Sequence, residues 1–197
     1  MTESGLRERK KRRTRELIAR TAAQLFAQHG YDHVSVLEIA AAADVSEQTV
    51  YNHFPTKKDL VLDRDEELSA ALTAAIANRQ DGVSPAAAIR STALSMLDEL
   101  STMDDVQTRG GLGYLSIRSP AVRRLSLEMT DRHADAIAEA LAAEPGGPSP
   151  AAAKVQAIAL AWVIQTITDL AGQGTAAGKT PTQIAKQLRP TVTAILD

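Results

Sequence analysis

Between residues 35 and 60 the apolar positions fall into two short helical patterns separated by a tight turn. Val36, Ile39 and Ala40 carry the i, i+3, i+4 spacing of one amphipathic face. Ser35 and Glu38 spell a capping box, in which each side chain takes up a backbone N–H at the helix start. Ala43-Asp44-Val45 predicts the turn and Ser46 the cap of a second helix, whose Val50 and Phe54 face inward. Glu47, Gln48, Thr49, Tyr51, Asn52 and His53 are left pointing largely outward. A helix-turn-helix displaying polar side chains in this way fits a DNA major groove.

The same periodicity extends in both directions. Upstream, residues 13–29 predict a helix with Ile18, Ala22, Leu25 and Phe26 as its buried stripe and Gly30 as its stop. Tyr31 is expected to pack back on this unit. Downstream, Thr56 caps a helix that carries Leu60, Leu62 and Leu68 to about residue 80. After a loop at 81–85 comes a helix over 85–103, then an irregular stretch at 104–119 where Gly110, Gly111 and Gly113 read as a turn or a flexible joint. Helices follow over 122–143, 151–171 and 182–196, with an unambiguous break at 144–150 and Pro190 expected to kink or restart the last one. No alternating strand pattern and no internal repeat occurs. The chain reads as all-α with about nine helices, an N-terminal helix-turn-helix domain (1–58) and a C-terminal helical body (59–197).

Charge sharpens this division. Residues 1–58 hold ten Lys/Arg against seven Asp/Glu, a balance of +3, whereas 59–197 hold twelve against seventeen, a balance of −5. A basic head on an acidic body suits contact with a polyanion at one end only. Residues 1–12 lack an apolar period and predict a disordered tail. It is either merely solvated or, with Arg7, Arg9, Lys10, Lys11, Arg12 and Arg13 next to the helix-turn-helix, a basic arm along phosphates or in a minor groove. The chain has no cysteine, which excludes disulfides, thiolate metal sites and thiol redox sensing. It shows no signal-peptide h-region, and the apolar run 155–164 is too short to span a bilayer, so a soluble cytoplasmic protein is expected.

VSEQTVYNHFPTKKDLV resembles the signature of TetR-family transcriptional regulators, V-S-x-x-T-Φ-Y-x-H-F-x-x-K-x-x-L. Val45, Ser46, Thr49, Tyr51, His53, Phe54, Lys57 and Leu60 match it, eight positions in sixteen residues. The resemblance is sharp over roughly residues 10–62 and beyond them rests on length and helical layout. It implies a homodimeric repressor released from a palindromic double-stranded operator by a small, largely apolar effector. Glu47, Gln48, Thr49, Asn52 and His53 would face base edges, with Gln48 and Asn52 each suited to adenine. Ser46, which caps that helix, is also counted among the DNA-contacting residues. Ser35, Tyr51, Lys57 and Arg13 of the basic arm would hold phosphates. Lys57, a cation in the predicted first turn of a helix, opposes the helix dipole, which suits a phosphate contact.

The helix over 151–171 is apolar nearly all round, through Val155, Ile158, Leu160, Trp162, Val163, Ile164, Ile167 and Leu170. Such a helix must be covered on more than one side, most simply by a second subunit. The family dimerises through its last two helices, here 151–171 and 182–196. Dimerisation also sets two recognition helices about 34 Å apart. Met96, Leu100, Tyr114, Met129 and Trp162, with Gln165, Thr166 or Asp169 as polar contacts, are candidates to line an effector cavity. Each of them fits an ordinary core equally well. A body that binds a protein partner or no effector is the alternative.

Other signals are set aside. Gly174, Gly178, Lys179 and Thr180 resemble a phosphate loop, but one residue too few separates the glycines. His29 and His33 are separated by Gly30, and His133 stands alone, so no metal site is expected. No nucleophile–base set or carboxylate pair converges, so the chain reads as a non-enzyme without a cofactor.

Overall fold

The computed structural model describes residues 3–144 and 146–197, with side chains from Arg7 onward. Met1 and Thr2 of the expected arm and Pro145 of the expected break lie outside the described residues. Within the described residues the regular structure is entirely helical, ten α-helices and two 3₁₀ turns.

Helix α1 runs Glu3–His29 and takes in the basic stretch that was expected to be disordered. Its Arg, Lys, Glu, Leu and Ala residues favour helix, and no proline interrupts them. Arg12 and Glu16 add an i,i+4 ion pair at 3.5 Å. Gly30 ends the helix with φ 83°, a backbone conformation that glycine adopts without strain. A 3₁₀ turn, Tyr31–His33, leads to α2, Val36–Ala42, which starts on the expected Ser35–Glu38 capping box. Asp44 makes the turn in the left-handed region at φ 53°, and the Val45 N–H donates to the Ala40 carbonyl at 3.0 Å. Helix α3, Glu47–His53, follows, and the Ser46 hydroxyl accepts the Thr49 N–H.

The segment after Thr56 departs from expectation. Lys57–Leu60 is a 3₁₀ turn, with the Asp59 carboxylate accepting the Thr56 N–H at 2.8 Å and its hydroxyl at 2.7 Å. The α-helix proper, α4, begins only at Asp65 and ends at Ala77. Asp65, Glu66 and Glu67 in its first turn suit the helix dipole. Helix α5 spans Pro85–Thr102. The stretch expected to be irregular contains two short helices, α6 (Asp105–Arg109) and α7 (Leu112–Arg118), which bring the helix total to ten. Then come α8 (Pro120–Ala142), α9 (Pro150–Ala176) and α10 (Pro181–Ile195), the last continuing through Pro190 rather than restarting there.

Gly110 and Gly113 are explained by close approach. A Cβ on Gly110 would overlap the backbone of Ala23 in α1. A Cβ on Gly172 of α9 would overlap the Gly113 carbonyl of α7. These positions admit no side chain because two helix backbones touch there.

Two apolar clusters result. The larger joins α4, α5, α8, α9 and α10 around Leu72, Ile76, Leu97, Ile137, Leu141 and Ile164. The smaller packs Ile18, Phe26, Ile39, Val50 and Phe54, and is closed by Leu60, Leu115 and Val122 from beyond residue 58. The head is thus seated on α7 and α8. Helix α9 is long and apolar enough to cross a bilayer, longer than the run 155–164 suggested. Its inward stripe packs instead on α7, α8 and α10.

Candidate nucleic-acid interface and body cavity

The two halves of the helix-turn-helix are held rigidly by Val50 and Phe54, which are fully buried, and by side-chain caps at both helix starts. On α3, Glu47, Gln48, Tyr51 and Asn52 are exposed, while Thr49 and His53 are half-buried. The Gln48 amide nitrogen donates to Asn52 Oδ1 at 3.1 Å, so the two adenine-compatible side chains are paired in the free protein. Thr49 Oγ1 lies 2.7 Å from Ser46 Oγ. The Ser35 hydroxyl donates to Glu38 at 2.7 Å, a bond that a phosphate contact would have to replace. The Ser35 backbone N–H, which donates to the same carboxylate at 2.7 Å, and that hydroxyl hold the Glu38 carboxyl below its ordinary value.

Burial, followed by the Arg15 and Lys11 cations, pushes His53 down from its ordinary 6.5. At neutral pH its imidazole is therefore uncharged, with one donor and one acceptor. Arg13 is exposed on α1 among other basic residues. Lys57 has an unexpected environment. Its ammonium donates to the Tyr31 carbonyl at 2.5 Å and sits 4.1 Å from the Tyr31 ring centre. Burial lowers its pKa, opposed by Asp32 and Glu38. The expected penalty of a cation in an α-helical first turn does not arise, because Lys57 lies in a 3₁₀ turn and is already paired.

One residue that the sequence pattern did not single out ties this surface to the body. Arg15 NH1 donates to the His53 carbonyl at 2.7 Å, at the end of α3, and NH2 donates to Asp63 Oδ1 at 2.5 Å. Its guanidinium also lies 4.2 Å from the Phe54 ring centre. Asp63 lines a cavity of about 510 Å³ between α4, α5, α7, α8 and α9. Burial pushes the Asp63 carboxyl up, even with Arg15 beside it.

Of the candidate effector residues, Met96, Leu100, Tyr114 and Met129 line this cavity. Trp162, Gln165, Thr166 and Asp169 do not. The phase of α9 turns Leu160, Ala161, Ile164 and Ile167 inward and leaves Trp162 and Thr166 on the outer face. Gln165 is buried between α8 and α9, where its Oε1 accepts from the Ser126 and Thr130 hydroxyls and its amide donates to Asp169. Asp169 in turn pairs with Arg123 at 2.6 Å. This network is fully satisfied and locks α8 against α9. At the near end of α4, Asp65 accepts from Arg132 at 2.5 Å and lies 2.8 Å from His133 Nε2. Burial pushes the Asp65 carboxyl up, but these partners outweigh it and hold it below its ordinary value. Among the described residues, no cluster of His, Cys, Asp and Glu is arranged to hold a metal ion.

Residues 18–63 match the family model described as bacterial regulatory proteins, tetR family. Over 81 residues the chain is 40% identical to the HTH-type transcriptional regulator TcmR of Streptomyces glaucescens, a match covering 41% of this chain and 36% of that protein. A 47-residue stretch is 47% identical to the uncharacterized regulator YuxN of Bacillus subtilis, covering 24% of this chain and 16% of that one. The matches thus span about a third or less of these relatives' length. The whole fold is similar to that of a TetR-family regulator from Streptomyces coelicolor, with a TM-score of 0.58 and 23% identity over 93% of this chain and 94% of that one. It is also similar to SmeT in its triclosan complex, with a TM-score of 0.60 and 18% identity over 92% of this chain and 90% of that one. Residues 18–63 thus form a TetR-family helix-turn-helix head, on a body whose fold is similar to that of TetR-family regulators.

Proposed function

We propose that this protein is a homodimeric repressor that binds a palindromic operator in the cytoplasm and is released by a small, largely apolar effector. The head (1–58) is the DNA-binding domain, and the body (59–197) binds the effector and the second subunit. The observation that carries the reading is the outward row of Glu47, Gln48, Tyr51 and Asn52 on a recognition helix whose opposite side is locked into the head's core. Gln48, Asn52, Glu47, Thr49 and the neutral His53 read base edges, while Ser35, Tyr51, Lys57 and Arg13 hold phosphates.

Dimerisation is supported by the outer face of α9, where Val155, Ile158, Trp162 and Leu170 are exposed, and by exposed Ile195 on α10. An apolar surface of this extent on adjacent helices is suited to burial against a second copy. Effector binding is supported by the cavity, whose wall is joined through Arg15 to the recognition helix. Release requires that the effector favour an arrangement of the heads that does not fit the operator.

Selection of bound duplexes from a random pool at near-physiological salt tests the reading. Enrichment of a palindrome with half-sites about one helical turn apart is the expected result. Recovery of duplexes with no shared motif would overturn it.

A further inference from the structure

We propose that the cavity takes an amphipathic organic cation, whose positive group replaces Arg64 between Glu67 and Glu99 while its apolar body lies against Met96, Met129 and Tyr114. The inference rests on the effector reading above and narrows it to a chemical class.

Among the described residues, five charged ones line the cavity: Asp63, Arg64, Asp65, Glu67 and Glu99. They form one group, because four lie within 63–67 and Glu99 of α5 is tied to them through Arg64. Four are carboxylates. Two of these are neutralised from outside the cavity, Asp63 by Arg15 on one side and Asp65 by Arg132 on the other. Glu67 and Glu99 are left to share a single cation, Arg64. Its guanidinium forks onto both Glu99 oxygens at 2.5 and 3.1 Å, with Nε 3.4 Å from Glu67. The place therefore already holds a cation on an apolar stem, supplied by the protein, and retains an excess of one negative charge.

Arg64, Glu67 and Glu99 keep 56, 74 and 48% of their side-chain surface exposed, and a pair so exposed is held weakly and exchanges partners at little cost. A ligand cation that takes Arg64's place also buries its apolar body in the cavity. An anionic ligand would meet the Glu67 and Glu99 carboxylates and could reach Arg64 only by breaking its fork with Glu99. A neutral ligand would gain the apolar wall and nothing from the charged group. Arg64 also immediately precedes α4 and follows Asp63, so its release acts on the segment that Arg15 ties to the recognition helix.

The test compares three compounds with the same tail and different heads: decyltrimethylammonium, decanoate and 1-decanol, each below micelle-forming concentration. Binding to the full chain is measured by isothermal titration calorimetry. The cation is expected to bind about fivefold or more tighter than either of the others. Glu99→Gln, or Glu67→Gln if the first variant melts early, is expected to remove most of that preference and leave 1-decanol binding unchanged. Equal or tighter binding of decanoate or 1-decanol overturns the charge assignment, as does a preference that survives both variants or the absence of binding by all three. The operator selection uses none of these compounds, so its outcome judges the regulator reading separately.

Discussion

Arg15 and Asp63, 48 positions apart, form an ion pair at 2.5 Å whose second arm holds the last carbonyl of the recognition helix. One guanidinium thus joins the first helix, the DNA-reading helix and the wall of the cavity. Arg15→Ala removes these bonds and the cation above Phe54. The expected cost is about 1–2 kcal/mol, discounted for partial exposure. Thermal unfolding checks the loss, and operator affinity should fall more than Tm alone explains because α3 loses its tether. An unchanged affinity in the folded variant would remove Arg15 from the coupling.

Gln48→Ala and Asn52→Ala are expected to relax sequence preference, each by about 1–3 kcal/mol of discrimination at one base pair. Because the two side chains are hydrogen-bonded to one another, the double variant should deviate from additivity. Competition binding against a set of operator variants measures both effects. Undiminished discrimination would show that sequence is read elsewhere.

Lys57→Ala is expected to act twice. Loss of the bond to the Tyr31 carbonyl and of the ring contact lowers Tm, while loss of a phosphate partner weakens binding to all duplexes alike. The second effect flattens the salt dependence by about one unit of slope. A salt titration on a folded sample separates the two, and an unaltered slope would leave Lys57 with its structural role alone.

The acid limb of stability carries two opposed carboxylates. Asp65 is held below its ordinary 3.8, so its contribution is full above that pH and is lost as pH falls through the lower folded-state value. Asp63 is raised above 3.8, so its effect runs the other way and stability is lost as pH rises through that range. Asp65→Asn should make the loss of stability on acidification less steep, whereas Asp63→Asn should make it steeper. Denaturant melts between pH 3 and 7 distinguish the signs.

Trp162→Glu puts a charge on the exposed face of α9 and is expected to shift the protein from dimer to monomer in sedimentation. A variant that remains dimeric would place the subunit contact elsewhere. With Trp162 outside the cavity, its fluorescence should follow subunit association rather than effector binding.

Much of the head was legible because its signals are local. The Ser35–Glu38 box, the Ser46 cap and the four-residue spacing of Val50 and Phe54 are decided within one or two turns of helix. The role of Arg15 was not legible, since its partners are 38 and 48 residues away. The direction of Trp162 was hidden for a different reason. Helix α9 is apolar on nearly every side, so hydrophobicity alone leaves its phase unspecified. The 3₁₀ turn at 57–60 was hidden because a capping box reads the same before either kind of helix. Gly110, Gly113 and Gly172 look like breakers in sequence, and only a partner helix lying against them reveals that they are points of contact.

The meeting of Gly113 and Gly172 has a consequence for how such a protein acquires new selectivity. Bare backbone against bare backbone gives α7 and α9 no room to shift or to take larger side chains. The cavity therefore has a fixed floor where α7 meets α9, and adaptation falls to its other walls, chiefly those on α4 and α5. Randomising Leu68, Ala71, Ser95 and Met96 should yield folded proteins with altered ligand choice, whereas the same diversity at 113 or 172 should yield mostly misassembled chains. The range of molecules such a cavity could come to accept is set by which helices can still slide.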